Sequence, residues 1–203
     1  SLAGLASASA ASLWDRVFGG QPPPDIWVVL GTGVLALAVV VPHRAWRLAR
    51  NTITIAHEGG HGLVALLTGR RLEGIRLHSD TSGLTVSRGR ATGPGMILTA
   101  AAGYTAPPLI GLGGAALLAA GYITAFLWLA TVLLILMLFM IRNAYGALTV
   151  VLTGGGFLVV SWLADAQVQA AFAYAVVWFL LLGGVRPAFE LQAKRRRWTR
   201  SAA

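Results

Sequence analysis

Six stretches of the chain are apolar and long enough to cross a bilayer, and they constrain the fold more than any other feature. The hydrocarbon core of a membrane is about 30 Å thick, which a helix spans with about 20 residues. The stretches are residues 25–42, 47–69, 95–119, 122–141, 144–163 and 169–187. Pro107 and Pro108 interrupt the third stretch, so we expect a kink or a break there. The pattern predicts an all-α membrane protein with about six transmembrane helices.

Composition supports the same class of protein. Only 11% of the 203 residues are charged and the mean hydropathy is +0.71, whereas soluble domains carry roughly 25% charged residues. The net charge is +9, but the basic residues cluster at the ends of apolar stretches, so we expect contact with a lipid bilayer and no nucleic acid partner. We expect one polytopic membrane domain over residues 25–203, after an N-terminal interfacial segment at residues 1–24.

One five-residue motif contains two candidate metal ligands and a candidate general base. His57-Glu58-Gly59-Gly60-His61 lies in the apolar stretch 53–69, which contains no other charge and no proline. On a helix, histidines at i and i+4 share one face and can bind one zinc ion, and Glu58 lies beside them as a general base for water. An ionisable side chain near the bilayer centre costs about 2.5–3.5 kcal/mol. The membrane setting therefore favours a zinc site over a chance match.

The motif also contains glycines that a helix does not favour. Gly59 and Gly60 each cost about 1 kcal/mol relative to alanine. Two explanations remain open at this point. The missing side chains either let another helix pack closely or leave room for a substrate backbone beside the metal.

The basic residues predict how the chain is oriented. If both termini are cytoplasmic, thirteen of the sixteen Lys and Arg residues lie on the inner side, and only Arg44, Arg47 and Arg50 lie outside. Because a bias in Lys and Arg sets orientation, we expect both termini in the cytoplasm. The second span then runs inwards and places the metal within the membrane, nearer the cytoplasmic face.

The periodicity of the sequence changes after the motif helix. Apolar and polar residues alternate in residues 75–78 and 84–87, around a turn-rich segment at residues 79–83. This pattern predicts a small amphipathic β-hairpin after the second helix. Its exposed edge could pair with an extended substrate, or the hairpin could merely cover the helix ends. We favour the substrate role because a helical substrate must unwind before its amide reaches a metal.

These features together resemble the site-2 protease family of intramembrane zinc metalloproteases. The apolar motif helix, the hairpin directly after it and the inward-facing polar loop carry the resemblance, over roughly residues 47–150. The chain is most similar to the compact membrane-only members found in bacteria, which implies a bacterial cell membrane. The resemblance implies that His57 and His61 bind zinc, that Glu58 is the general base, and that the substrate is a transmembrane protein.

The third zinc ligand departs from the family pattern. The family supplies an aspartate in a Leu-Asp-Gly setting on a later helix, and that tripeptide is absent from this sequence. Asp165 and Glu190 are weak candidates. Asp165 is expected on the outer side, out of reach, and Glu190 lies one turn after Arg186, which is its better partner. We expect the family's aspartate on a further helix beyond Ala203.

Two further positions are candidates for a role near the site. Asn143, in an inner loop, could hydrogen-bond the substrate or the developing oxyanion, although an ordinary loop with a helix cap is the interpretation we favour. Tyr104 and Thr105 precede Pro107 and Pro108, where freed carbonyl groups could face a water path or simply mark a packing kink.

The sequence favours one function and leaves one alternative. The leading hypothesis is a zinc endopeptidase that cleaves transmembrane or membrane-proximal substrates in regulated proteolysis. The alternative is a non-catalytic pseudoprotease that binds metal or client helices. A metal transporter would need polar residues along a path through the membrane, whereas here they concentrate on one helix, so transport is disfavoured.

Overall fold

The protein consists of helices with one small sheet. A computed structural model describes residues 13–201, with side chains through residue 193 and at residue 195. After a short helical segment at residues 13–18, the elements are α1 (Ile26–Val40), α2 (His43–Leu67), β1 (Arg71–Leu77), β2 (Gly83–Arg88), α3 (Pro94–Ala119), α4 (Ile123–Met140), α5 (Ala144–Leu163) and α6 (Ala166–Ser201). The structure confirms the predicted mainly helical fold and its small two-stranded sheet.

The number of membrane spans differs from the prediction. Within the described residues, α3, α4, α5 and α6 through Ala193 are long and apolar enough to cross a membrane, and α1 with α2 adds at most one bent span. The structure therefore supports four or five spans rather than six. The reason is local. With 15 residues, α1 is only about 22 Å long, and α2 carries three arginines in its first eight residues.

Both ends of α2 lie at the same end of the helix bundle. Helix α2 turns by 105° relative to α1. Near its start, Asn51 donates a 2.7 Å hydrogen bond to the hydroxyl of Tyr145, at the beginning of α5. Just after its end, Thr68 lies against Gly95, at the beginning of α3. Because α4 runs back between α3 and α5, those two helices begin at the same end. Helix α2 therefore runs obliquely along that end of the bundle.

The hairpin docks onto α2, α4 and α5. Its strands are antiparallel, with Ile75 opposite Thr85, Leu77 opposite Gly83, and a bulge between Leu72 and Gly74. The side chains of Ile75 and Leu77 are each 2% exposed and lie in a core cluster that also contains Ile55, Met137, Ile141 and Val150. The predicted hairpin is confirmed, and its buried face fixes it beside the motif helix.

Helix α3 continues through its two prolines. Pro107 and Pro108 both lie inside the helix, so the chain is not broken there. A Cβ atom at Gly184 of α6 would lie 2.9 Å from the nitrogen of Pro108. Glycine at that position therefore lets α6 pack directly against the prolines.

Candidate active site

The two motif histidines meet at one point on α2. Their Nε2 atoms are 3.2 Å apart. Two nitrogen ligands of a tetrahedral zinc ion, each about 2.0–2.1 Å from the metal, lie about 3.3 Å apart. The pair therefore has the spacing of two neighbouring zinc ligands.

A backbone carbonyl of α3 orients one of these histidines. Nδ1 of His61 lies 2.6 Å from the carbonyl oxygen of Thr99. Since a carbonyl only accepts hydrogen bonds, Nδ1 must carry the proton and donate it. Nε2 of His61 then keeps its lone pair for a metal, which is the arrangement that metal-binding histidines usually show. The ring of His57 packs edge-on against Tyr104, with centroids 4.9 Å apart.

Gly103 makes room for both histidines, and sequence reasoning missed it. A Cβ atom at this position would overlap Nε2 of His57 and Nε2 of His61. Pro107 lies four residues later and cannot donate to the Gly103 carbonyl. The signal available in the sequence was a glycine one turn before a proline within an apolar helix.

The motif glycines have different roles. A Cβ atom at Gly60 would overlap Cβ of Ala106 and lie 3.0 Å from the Ala102 carbonyl oxygen, so packing against α3 explains this glycine. At Gly59 the nearest atom would be the Met137 sulfur at 3.7 Å, an ordinary contact. Gly59 also borders an apolar cavity of about 540 Å³. The explanation that leaves room for a substrate therefore stays open only for Gly59.

Glu58 is held by the second strand of the hairpin. The residue is 5% exposed. Its Oε2 accepts a 2.6 Å hydrogen bond from the hydroxyl of Thr85, which also lies 3.1 Å from the Glu58 carbonyl oxygen. A Cβ atom at Gly83 would lie 2.5 Å from Cγ of Glu58. Sequence reasoning placed the hairpin beside the site but did not identify either residue.

His57 and Glu58 share a small polar cavity. Its volume is about 180 Å³, enough for several water molecules at about 30 Å³ each. The other lining residues belong to α2, the hairpin, α3 and α6. They are Arg50, Ile53, Thr54, Thr81, Ser82, Gly83, Tyr104 and Pro187. His57 and Glu58 therefore border the same space, which is large enough for water.

The two weak candidates for a third ligand are engaged elsewhere. Asp165 accepts a 2.9 Å hydrogen bond from the Val168 amide and so caps α6. Glu190 accepts a 3.0 Å hydrogen bond from Arg186, as expected, and pairs with Arg50 at 3.6 Å. Among the described side chains, no group of three His, Cys, Asp or Glu residues could hold a metal ion. Of the predicted metal ligands, the described side chains bring together only His57 and His61.

Asn143 anchors the hairpin in this structure. Its Nδ2 donates to the Leu77 carbonyl at 2.6 Å, and its Oδ1 accepts from the Leu77 amide at 3.2 Å. The Arg142 amide donates to the Ile75 carbonyl at 2.9 Å. Residues 141–143 therefore close the outer edge of β1. Asn143 does not line the cavity that holds His57 and Glu58, and its catalytic role stays a prediction.

The chain matches a known protein family over most of its length. The family model described as Peptidase M50B-like matches residues 30–202, a range that contains the motif helix, the hairpin and all four long spans. No curated protein and no solved structure matches the chain. The match confirms the resemblance to the site-2 protease family. The chain therefore belongs to the peptidase M50B-like family and is a multi-pass membrane protein.

Proposed function

We propose that the protein is an intramembrane zinc metalloprotease that cleaves transmembrane or membrane-proximal segments of other proteins. One observation carries the proposal. The Nε2 atoms of His57 and His61 lie 3.2 Å apart, and Glu58 lines the same cavity as His57. Family membership supports a peptidase, and this geometry supports the assignment of the residues.

The histidine pair fits zinc through the chemistry of its donors. His57 and His61 would hold the ion through Nε2, with a third ligand that the described side chains do not supply. Bound zinc polarises a carbonyl group and makes water more acidic. The Thr99 carbonyl fixes the tautomer of His61, and Gly103 keeps the space around both Nε2 atoms free of a side chain.

Glu58 has the position of a general base. It follows His57 by one residue, about 100° round the helix, so its carboxylate points beside the histidines. In the cavity it would take a proton from the attacking water and pass it to the amine that leaves when the peptide bond breaks. Because Thr85 occupies Oε2, we expect Oε1 to accept that proton.

The free edge of the hairpin is suited to bind a substrate in an extended conformation. Residues 141–143 cover the outer edge of β1, whereas the outer edge of β2 pairs with no strand in the described part of the chain. Main-chain hydrogen bonds to that edge would hold an unwound peptide without requiring a particular sequence. Since Gly83 and Thr85 of β2 contact Glu58, a peptide added there would lie close to the base.

Replacing Glu58 by glutamine tests the proposal. Glu58→Gln keeps the shape of the side chain and its bond to Thr85 but removes the base. We expect the variant to keep zinc and to capture a transmembrane substrate, while cleavage falls by at least about 100-fold. A pseudoprotease would show no cleavage in either form, with equal client binding. Unimpaired cleavage by the glutamine variant would remove Glu58 from the mechanism.

We also propose a membrane orientation that differs from the sequence expectation. If α1 and α2 together cross once, the chain crosses five times and its ends lie on opposite faces. Every Lys and Arg residue except Arg16 then belongs to segments at the end of the bundle that carries the hairpin. The bias in basic residues places that end in the cytoplasm. The site remains on the cytoplasmic side of what we propose is a bacterial cell membrane, and the N-terminal segment lies outside.

Single cysteines can test this orientation, because the chain has no cysteine of its own. In intact cells, an impermeant thiol reagent should label Gly20→Cys and Gln167→Cys but not Ser79→Cys. The six-span arrangement predicts the same result at Gln167 and Ser79. It predicts a shielded Gly20→Cys, so labelling at that position decides between the two arrangements.

A further inference from the structure

We infer that Thr85 is a positioning residue for Glu58, so that the hairpin sets the geometry of the general base as well as receiving the substrate. This inference rests on the proposed function and deepens it. It assigns a role to a residue that the motif does not contain, on a different element of the fold.

The contact between the two side chains is short and charge-assisted. The Thr85 hydroxyl lies 2.6 Å from Oε2 of Glu58 and 3.1 Å from the carbonyl oxygen of the same residue. A hydroxyl bonded to a carboxylate typically lies at 2.5–2.7 Å. Because a hydroxyl has one hydrogen, the shorter contact to Oε2 is the main bond. Thr85 thereby restricts the rotation of the Glu58 side chain.

The hairpin fixes the position of Thr85 through its pairing with β1 and through its contact with α2. It lies opposite Ile75 in the hairpin, and Ile75 is 2% exposed in the core, so the Thr85 side chain faces α2. Two residues earlier on the same strand face, Gly83 lies against Glu58 with space for no side chain. The carboxylate is therefore enclosed by backbone at Gly83 and hydrogen-bonded at Thr85.

A second threonine ties the hairpin to the same helix. The hydroxyl of Thr54 donates a 2.8 Å hydrogen bond to the carbonyl oxygen of Thr81 in the hairpin turn. Thr54 and Glu58 are four residues apart and so lie on one face of α2. The hairpin thus contacts the motif helix at two points one turn apart. The bond between Thr54 and Thr81 therefore opposes a shift of β2 along α2 that would separate the Thr85 hydroxyl from the Glu58 carboxylate.

The alternative is that Thr85 only stabilises the strand. Threonine and valine both favour β-strands because they are branched at Cβ. Thr85→Val should preserve that structural role but remove the hydroxyl, whereas Thr85→Ser should keep the hydroxyl. The two variants therefore separate positioning of Glu58 from strand packing.

The test compares the wild type, Thr85→Val and Thr85→Ser as full-length proteins in liposomes, with a fluorogenic transmembrane peptide that contains a single cleavage site. Loss of one hydrogen bond to a charged group should lower kcat of Thr85→Val by roughly 10-fold or more. We expect its KM and zinc content to match the wild type. Thr85→Ser should restore kcat. If Thr85→Val does not fold, Thr85→Ala replaces it, because alanine also lacks the hydroxyl. The same loss of kcat is expected, and wild-type kcat in Thr85→Ala would overturn the role of Thr85.

The outcomes distinguish this inference from the proposed function. Wild-type kcat in Thr85→Val, an equal loss in Thr85→Ser, or a change confined to KM would overturn the role of Thr85 and leave the protease assignment intact. A wild-type protein that cleaves no transmembrane peptide would overturn the proposed function, and this inference with it.

Discussion

The two sides of α2 hold their functional residues in different ways. On the side of α3, the helix backbone approaches His57 and His61 closely. Gly103 has no side chain and lies next to both rings, and the Thr99 carbonyl accepts a hydrogen bond from His61. On the side of the hairpin, Glu58 is fixed by the hydroxyl of a side chain, Thr85. One side depends on packing between long helices, and the other depends on a small sheet.

This difference has consequences for what each half of the site can tolerate. Packing between α2 and α3 leaves no space for a side chain at Gly60 or Gly103. Adding a side chain at either position should therefore displace the histidines and abolish zinc binding. A two-stranded hairpin is marginally stable by itself and is held here by a few hydrogen bonds and two buried side chains. Weaker docking of the hairpin should therefore lower the rate of cleavage in steps rather than abolish it, because Glu58 loses its position gradually.

The largest expected effect comes from adding one methyl group on the α3 side. Gly103→Ala would place a Cβ atom on Nε2 of both histidines, whereas Gly113→Ala, in the same helix, meets nothing within 4 Å. Alanine is favoured over glycine in a helix by about 1 kcal/mol, so neither change harms the helix itself. Elemental analysis should show zinc lost from Gly103→Ala and retained in Gly113→Ala. Full zinc in Gly103→Ala would contradict the packing account.

An intermediate effect is expected from loosening the hairpin. Asn143→Ala leaves the amide and carbonyl groups of the buried Leu77 without their partner, which should cost about 1–3 kcal/mol. Hydrogen exchange at β1 should become faster, and cleavage should fall moderately. Asn143→Asp keeps the acceptor for the Leu77 amide but sets a second carboxylate oxygen against the Leu77 carbonyl, so it should not restore wild-type exchange. A loss of kcat of roughly 100-fold or more with unchanged exchange would instead indicate an oxyanion role.

The smallest expected effect concerns the tip of the hairpin. The Ser82 hydroxyl and then the Ser82 amide donate to Asp80 and lower the pKa of its carboxyl group. Asp80 should therefore stabilise the turn above the pKa of the unfolded chain, and this contribution should be lost as pH falls through the lower folded pKa. The protection of residues 79–82 against hydrogen exchange, taken relative to the intrinsic exchange rate at each pH, should fall at low pH in the wild type but not in Asp80→Asn. Cleavage near neutral pH should not change.

Local periodicity explains which features the sequence could predict. The spacing of His57 and His61 on a helix and the alternation in the hairpin each depend on a few neighbouring residues, and both appear in the structure. Gly103, Thr99 and Thr85 lie 27 to 46 residues from the residues that they contact. The glycine one turn before a proline marks Gly103 as unusual, but no local signal names the partners of these three residues. Only the packing of α3 and the hairpin onto α2 reveals them.

The number of spans could not be predicted for a different reason. Residues 25–42 and 47–69 are each apolar enough to suggest a span. Pro42 lies at the break between α1 and α2, but a proline alone does not give the size of the turn, which is 105°. Arg186 donates to the Val41 carbonyl, and its guanidinium lies 4.8 Å from the centre of the Trp46 ring. These contacts link the bend to the end of α6, which is distant in sequence.

The zinc content of four full-length proteins tests the central claim most directly. The claim is that His57 and His61 hold a zinc ion and that Glu58 acts beside it without binding it. We expect close to one zinc per chain in the wild type and in Glu58→Gln, and almost none in His57→Ala or His61→Ala. Full zinc occupancy in both alanine variants would contradict the account.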